Sequence, residues 1–214
     1  MLTRTLGVAV LAAAVGLVPA AALGAPSAHL MVPHSAFFSL ETHQDVLMDP
    51  QVFVAAPGAP ASTGPRGIPI AAGERSALMT DDPQVPLLNA QGRALGVTAG
   101  TWFGGRGTIV FDPAEAHPRI AAAFAGLVPN GVYSLFEVTF GPSSNTFAPL
   151  DGTGRTNTFT ANADGNGSID VVAPAPLTHA NGVVLVWHSD GTAHGTDRGQ
   201  AGVTAHHQLI YRVP

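Results

Sequence analysis

The sequence predicts a single-domain, antiparallel β-sandwich of Greek-key-like connectivity, preceded by a cleaved N-terminal signal peptide. Three observations carry that expectation. Short runs rich in Val, Ile and Phe recur along residues 85–214. Turn residues punctuate them, with 25 glycines and 18 prolines in 214 residues. No long stretch shows the 3.6-residue period of an amphipathic helix. Glycine and proline at that level also mark disordered chains, but 46% of the residues are hydrophobic, enough to fill a core.

Residues 1–25 read as an export signal. Arg4 is the cation of the leading segment, Leu6 to Val18 is unbroken apolar chain, and Pro19 precedes the small residues Ala20 to Ala25, with cleavage expected after Ala22 or Ala25. The apolar run falls short of the ~20 residues of a spanning helix, so the mature chain is expected to have no integral membrane span and to be secreted or periplasmic. There is no cysteine, which excludes a lipoprotein anchor, disulfides, thiolate catalysis and Cys-ligated zinc. All nine basic residues are arginines, and losing Arg4 takes the formal charge from −5 to about −6. Clustered cations are absent, so nucleic acid is excluded as a partner.

Residues 26–84 are expected to form an N-terminal extension of short strands. His29 to His34 reads as an edge strand or lead-in, since Pro33 suits an edge. Val52 to Ala56 is a second short run, and the Pro- and Gly-rich stretch from Pro57 to Gly67 is a loop. Between the two runs lie Glu41, His43, Asp45 and Asp49, without fixed ligand spacing, which reads as solvated loop.

Residues 85–214 are the sandwich body. Leu87 to Leu95 flanks a Gly-containing turn as a hairpin does. Thr101 to Phe103 and Thr108 to Phe111 are expected strands around the glycines at 104, 105 and 107. Arg119 to Phe124 contains good helix formers, but Pro118 and Gly126 leave too little length, so a strand is favoured. Val132 to Phe140 alternates, and Thr156 to Ala161 and Ser168 to Ala173 read as a hairpin around a polar turn.

That turn, Asn162 to Asp170, matches much of a calcium-binding loop. Its twelfth place is Ala173 rather than glutamate, however, and its flanks oppose helices, so a turn that needs φ > 0 is the favoured reading.

Asn181 to Gly195 joins the clearest core strand, Val183 to Trp187, to a loop carrying His188, Asp190 and His194. His206 and His207 open the last apolar run, which would bring four imidazoles toward one edge if the two strands pair. With Asp190 they form a nitrogen and oxygen set suited to copper or zinc. Being adjacent on a strand, His206 and His207 point to opposite faces, so only one of them can join. The favoured expectation is no cofactor, with metal held by His188, Asp190, His194, His206 and His207 as the alternative.

No catalytic constellation is complete. A G-x-S-x-G elbow is missing, and Ser143 and Ser144 follow a strand without the helix that would present a nucleophile. Asp81 and Asp82 lie in a loop before Pro83, and Glu137 is the one strand acid.

Trp102 with the glycines to Gly107, GLVPNGVYSL from Gly126, TFTANADGNGSIDV from Thr158 and WHSDGTAHG from Trp187 together resemble a family of secreted bacterial β-sandwich proteins, mostly of unknown function. The resemblance spans about Leu87 to Val213 and implies the fold, with no activity attached. A more distant likeness, through Gly126 to Pro129 and Val184 to His188, is to copper/zinc superoxide dismutase-like and CHRD domains. It implies a metal-binding alternative, possible superoxide dismutase-like chemistry included. The strand that carries His-x-His there reads Phe136-Glu137-Val138-Thr139 here. The expected role is therefore non-catalytic, binding or structural, outside the cytoplasm.

Overall fold

The computed structural model describes residues 27–112 and 115–214, so the expected signal peptide lies outside the described residues. Strands account for 45% of the described residues and helices for 7%, and the fold is all-β with antiparallel sheets. In chain order the elements are β1 (Ser27–Pro33), α1 (His34–Glu41), β2 (Met48–Ala55), β3 (Ser62–Thr63), β4 (Pro69–Ile70), β5 (Glu74–Leu78), β6 (Pro86–Leu88), β7 (Ala94–Thr98), α2 (Ala99–Phe103) and β8 (Arg106–Phe111). They continue with β9 (Arg119–Ala125), β10 (Val132–Thr139), β11 (Thr146–Pro149), β12 (Thr158–Thr160), β13 (Gly167–Val172), β14 (Asn181–His188) and β15 (Ala205–Arg212).

Nine strands form one curled sheet in the order β11-β10-β14-β15-β1-β8-β9-β13, with β12 also on β10. The curl turns at β1. Its first five residues pair with β8, and Val32 and Pro33 pair with β15, so one strand serves both layers. β1 is therefore an interior strand, a correction to the edge or lead-in role expected for His29 to His34. A second sheet, β5-β2-β6-β7, contains strands from both sides of the boundary at residues 84 and 85, because β2 pairs with both β5 and β6.

Alternation explains the main core. Ile120, Ala122 and Phe124 of β9 face inward while Arg119, Ala121 and Ala123 are exposed, which is why the helix-forming letters fold as a strand. Opposite them lie Tyr133 and Leu135 of β10, Val183, Leu185 and Trp187 of β14, and Leu209 of β15. Gly107 allows β8 to approach this core, since a Cβ there would stand 2.7 Å from the Phe124 ring. The outer face of the β10, β14 and β15 layer is apolar as well: Phe136, Val138, Val184, Val186 and Ile210 pack beneath Phe37 of α1, with Phe140 and Phe147. β14 is thus buried on both faces, with no exposed residue.

Two helical turns replace expected loop and strand. In α1, His34 and Phe38, and likewise Ser35 and Ser39, recur at a spacing of four and form its buried face. Thr101 to Phe103, expected to be extended, belongs to α2. The Trp102 indole donates to Asp49 at 2.9 Å, and the Trp102 carbonyl accepts from the Gln208 amide at 2.7 Å, which fixes that turn against the core.

The turn at Asn162 also differs from a hairpin. β12 pairs with β10 while β13 pairs with β9, so the turn carries the chain between layers. Asn162 Oδ1 accepts the N–H groups of Asp164 and Asn166, and Gly165 adopts φ +75°.

Removing buried volume from the doubly covered strand should be costly. Leu185→Ala is expected to lower unfolding stability by about 3 kcal/mol, and Val172→Ala, on an exposed position, by less than about 0.5 kcal/mol. Urea denaturation of both variants checks the contrast, and equal losses would contradict the layer assignment.

Candidate functional site

The five expected ligand residues divide between two faces of β14 and β15. His188, Asp190 and His194 come together at the end of β14. The His188 and His194 rings are 5.3 Å apart, and His194 Nε2 lies 3.0 Å from Asp190 Oδ2. His188 Nε2 is 2.8 Å from the Ser134 hydroxyl, which in turn meets Thr158 Oγ1 at 2.9 Å. Ser134 and His188 are both buried, and His188 Nδ1 has no hydrogen-bond partner among the described residues.

His206 pairs across from Trp187 and faces the main core. Its Nδ1 lies 3.0 Å from the Gln51 carbonyl, and a carbonyl can only accept, so Nδ1 carries the proton. Nε2 meets Ser189 Oγ at 3.1 Å, and the Trp187 and Trp102 rings stand 5.4 and 6.2 Å away. Its neighbour His207 points to the opposite face, as alternation requires. Among the described residues, no group of three or more His, Asp or Glu side chains is arranged to hold a metal ion.

His207 belongs to a different cluster. Its ring is 4.9 Å from that of His34, the first residue of α1, at an interplanar angle of 84°. Arg198 Nη1 donates to His207 Nε2 at 2.9 Å, and Arg66 Nη2 donates to His34 Nε2 at 3.4 Å. Each guanidinium also lies over a phenyl ring, Arg198 at 3.5 Å from the Phe147 centroid and Arg66 at 5.1 Å from that of Phe38. Beside them Asp49 is wholly buried and spends its carboxylate on Trp102 and on the N–H groups of Gln51 and Val52.

Arg66 opens into a cleft of about 620 Å³ together with Phe37, Phe38, Phe140 and Arg212, walled by the loop 141–145. Arg212 lies over Phe140 at 4.5 Å and pairs with Glu41 at 3.1 Å. A second hollow, of about 440 Å³, holds Phe147 and Arg198 and shares Asn145 with the cleft.

Sequence reading missed this side of the molecule. Arg66 sat in a proline and glycine loop, His34 closed a segment read as extended, and neither Phe38 nor Arg198 belonged to an expected element or site. The one available signal was the spacing of four in His34-Ser35-Ala36-Phe37-Phe38-Ser39. The chain matches no protein-family model, no curated protein and no solved structure.

Burial decides the charge of the imidazoles. It lowers His206 and His188 to about 4, the neighbouring His194 adding to the effect at His188. It also holds His34 and His207 well below the ordinary histidine value, helped at His34 by Arg66 and Arg198 and at His207 by His34 and the same arginines. Asp49 moves the other way, raised by burial to about 6.

A base with a lowered folded-state pKa is protonated first in the unfolded chain. Stability is therefore expected to fall as pH drops below about 6.5, and His206 alone contributes a loss of roughly 3 kcal/mol by pH 4. Asp49 opposes this between about 4 and 6, since its folded form holds a proton there that the unfolded form releases. Four imidazoles outweigh one carboxyl. Urea unfolding from pH 7.5 to 4.5 should show a continuous loss, and a flat or rising profile would contradict neutral buried rings.

Proposed function

We propose that the chain is an exported, non-catalytic binding protein, and that its ligand occupies the cleft between α1 and the loop 141–145. The observation that carries this reading is the lining of that cleft. Three phenyl rings and two guanidiniums surround a volume within the range of small-molecule sites. Phe37, Phe38 and Phe140 supply flat apolar area, and Arg66 and Arg212 supply charge that orients what enters.

A binding role fits better than chemistry. Ser143 and Ser144 line the cleft, and among the described residues neither hydroxyl bonds to an imidazole or carboxylate. The serines that do meet an imidazole lie elsewhere: Ser134 with His188, both buried in the layer, Ser189 with His206, and Ser27 with His29. Export rests on residues 1–25, which read as a signal peptide.

1-Anilinonaphthalene-8-sulfonate, an aromatic anion, is a suitable probe. Saturable one-to-one binding to the folded protein is expected, weakened about tenfold by Phe140→Ala or Phe37→Ala through lost ring contact. Non-saturable binding, or binding indifferent to both substitutions, overturns the reading.

A second reading, copper or zinc held at His188 and His194 with Asp190, is favoured by the 5.3 Å ring separation alone. Elemental analysis of protein purified without an affinity tag separates the two. The binding reading predicts well under one metal per chain, and one equivalent lost in the His188→Ala, His194→Ala double variant would replace it.

A further inference from the structure

The cluster behind the cleft contains donors and almost no acceptor. A guanidinium can only donate, so the contacts from Arg66 and Arg198 make Nε2 of His34 and of His207 acceptors. A neutral ring with a bare Nε2 keeps its proton on Nδ1. Both Nδ1–H groups, and Nε–H of Arg66, are buried and have no acceptor among the described residues. Three N–H donors therefore stand unpaired in one cluster, each costing on the order of 1–3 kcal/mol if left so.

The charge has the same sign as this donor excess. Arg66 and Arg198 are half-buried, and among the described residues neither has a carboxylate in contact. Asp49 and Asp197 act on them only at a distance. Burial, with the charge of Arg66 beside it, pulls the Arg198 guanidinium down to about 10, which reports poorly compensated cations. His34 opens α1, so the positive end of a helix adds to the cluster. Two guanidiniums repel a metal ion from the His34 and His207 rings. A group with negative charge and several lone pairs complements both the donors and the cations.

We propose that Arg66, Arg198, His34 and His207 form an oxyanion subsite that takes a carboxylate, sulfate or phosphate group. Arg66 and Arg198 supply the charge, and the two neutral imidazoles supply fixed donors and hold the guanidiniums in place. Arg66 faces the cleft, and Asn145 joins the cleft to the hollow of Arg198, so the subsite adjoins the proposed ligand site. The inference rests on that reading only where the oxyanion is the head of a larger cleft ligand. A free inorganic anion is the other source of the same chemistry.

Thermal unfolding and isothermal titration with inorganic sulfate and inorganic phosphate, against chloride at matched ionic strength, test it. Sulfate or phosphate is expected to saturate one site and raise the unfolding midpoint. Arg198→Gln and Arg66→Gln should each weaken binding at least tenfold, as loss of a charge-assisted donor does. Arg119→Gln, at an exposed pair with Asp170, should leave it unchanged.

A midpoint that follows ionic strength alone, or full binding retained by both glutamine variants, overturns the subsite. Where a variant does not fold, the wild-type protein decides by competition. Sulfate that displaces the anilinonaphthalene sulfonate places the oxyanion beside the cleft and supports the larger ligand. Sulfate that saturates while the dye does not bind supports the subsite for free anions and removes the cleft reading. Dye binding with no sulfate binding and no competition removes the subsite and leaves the cleft.

Discussion

β14 has no exposed residue, and the rest of the molecule follows from that burial. β10 and β15 occupy its two edges over its whole length, the main core covers one face, and α1 with Phe140 and Phe147 covers the other. Water is therefore remote from every polar group on β14 and from the buried polar groups of its two neighbours. An unbonded hydroxyl, amide or imidazole there costs free energy comparable to a lost hydrogen bond, and most are met from within the protein, the Nδ1 atoms of His188 and His207 being exceptions among the described residues. Ser134 meets His188, Tyr133 donates to Gln208, Gln208 donates to the Trp102 carbonyl, and His206 meets Gln51. The small sheet and α2 are tied to the large one through these bonds more than through shared strands.

The same burial determines what the histidines can be. Rings held this far from water stay neutral, and neutral rings serve equally as metal ligands or as hydrogen-bonding spacers. Their neighbours decide between the two. On the main-core face His206 lies between indoles with both nitrogens engaged. On the α1 face His34 and His207 receive guanidinium donors, which gives the cluster positive charge. A histidine-rich sequence thus leads toward anions on one face, and toward a small His188, Asp190 and His194 group at the end of β14.

Much of the architecture was legible because strand burial writes itself in local alternation. Ile120, Ala122 and Phe124 face inward despite their helix-forming neighbours, and the all-apolar Val183 to Trp187 reads as a strand covered on both sides. The opposition of His206 and His207 was equally legible. What escaped was set by distance along the chain. His206 is positioned by Gln51, 155 residues away, and the Arg66 contact to His34 spans 32 residues. No local pattern encodes such pairings. β1 escaped for a related reason: a proline suits an edge, but Pro33 falls at its last residue, where a missing donor does little harm. α1 is eight residues long, too short for its spacing of four to stand out beside the surrounding strands.

The account turns on buried imidazoles that are neutral and accept from arginine. Long-range nitrogen–proton NMR correlation of histidine-labelled protein at pH 7 reads the protonation and tautomer of each ring directly. The account predicts that His34 and His207 carry a single proton on Nδ1, with Nε2 unprotonated, and that His206 has the same tautomer. Imidazolium signals, or a proton on Nε2 of His34 or His207, would contradict it.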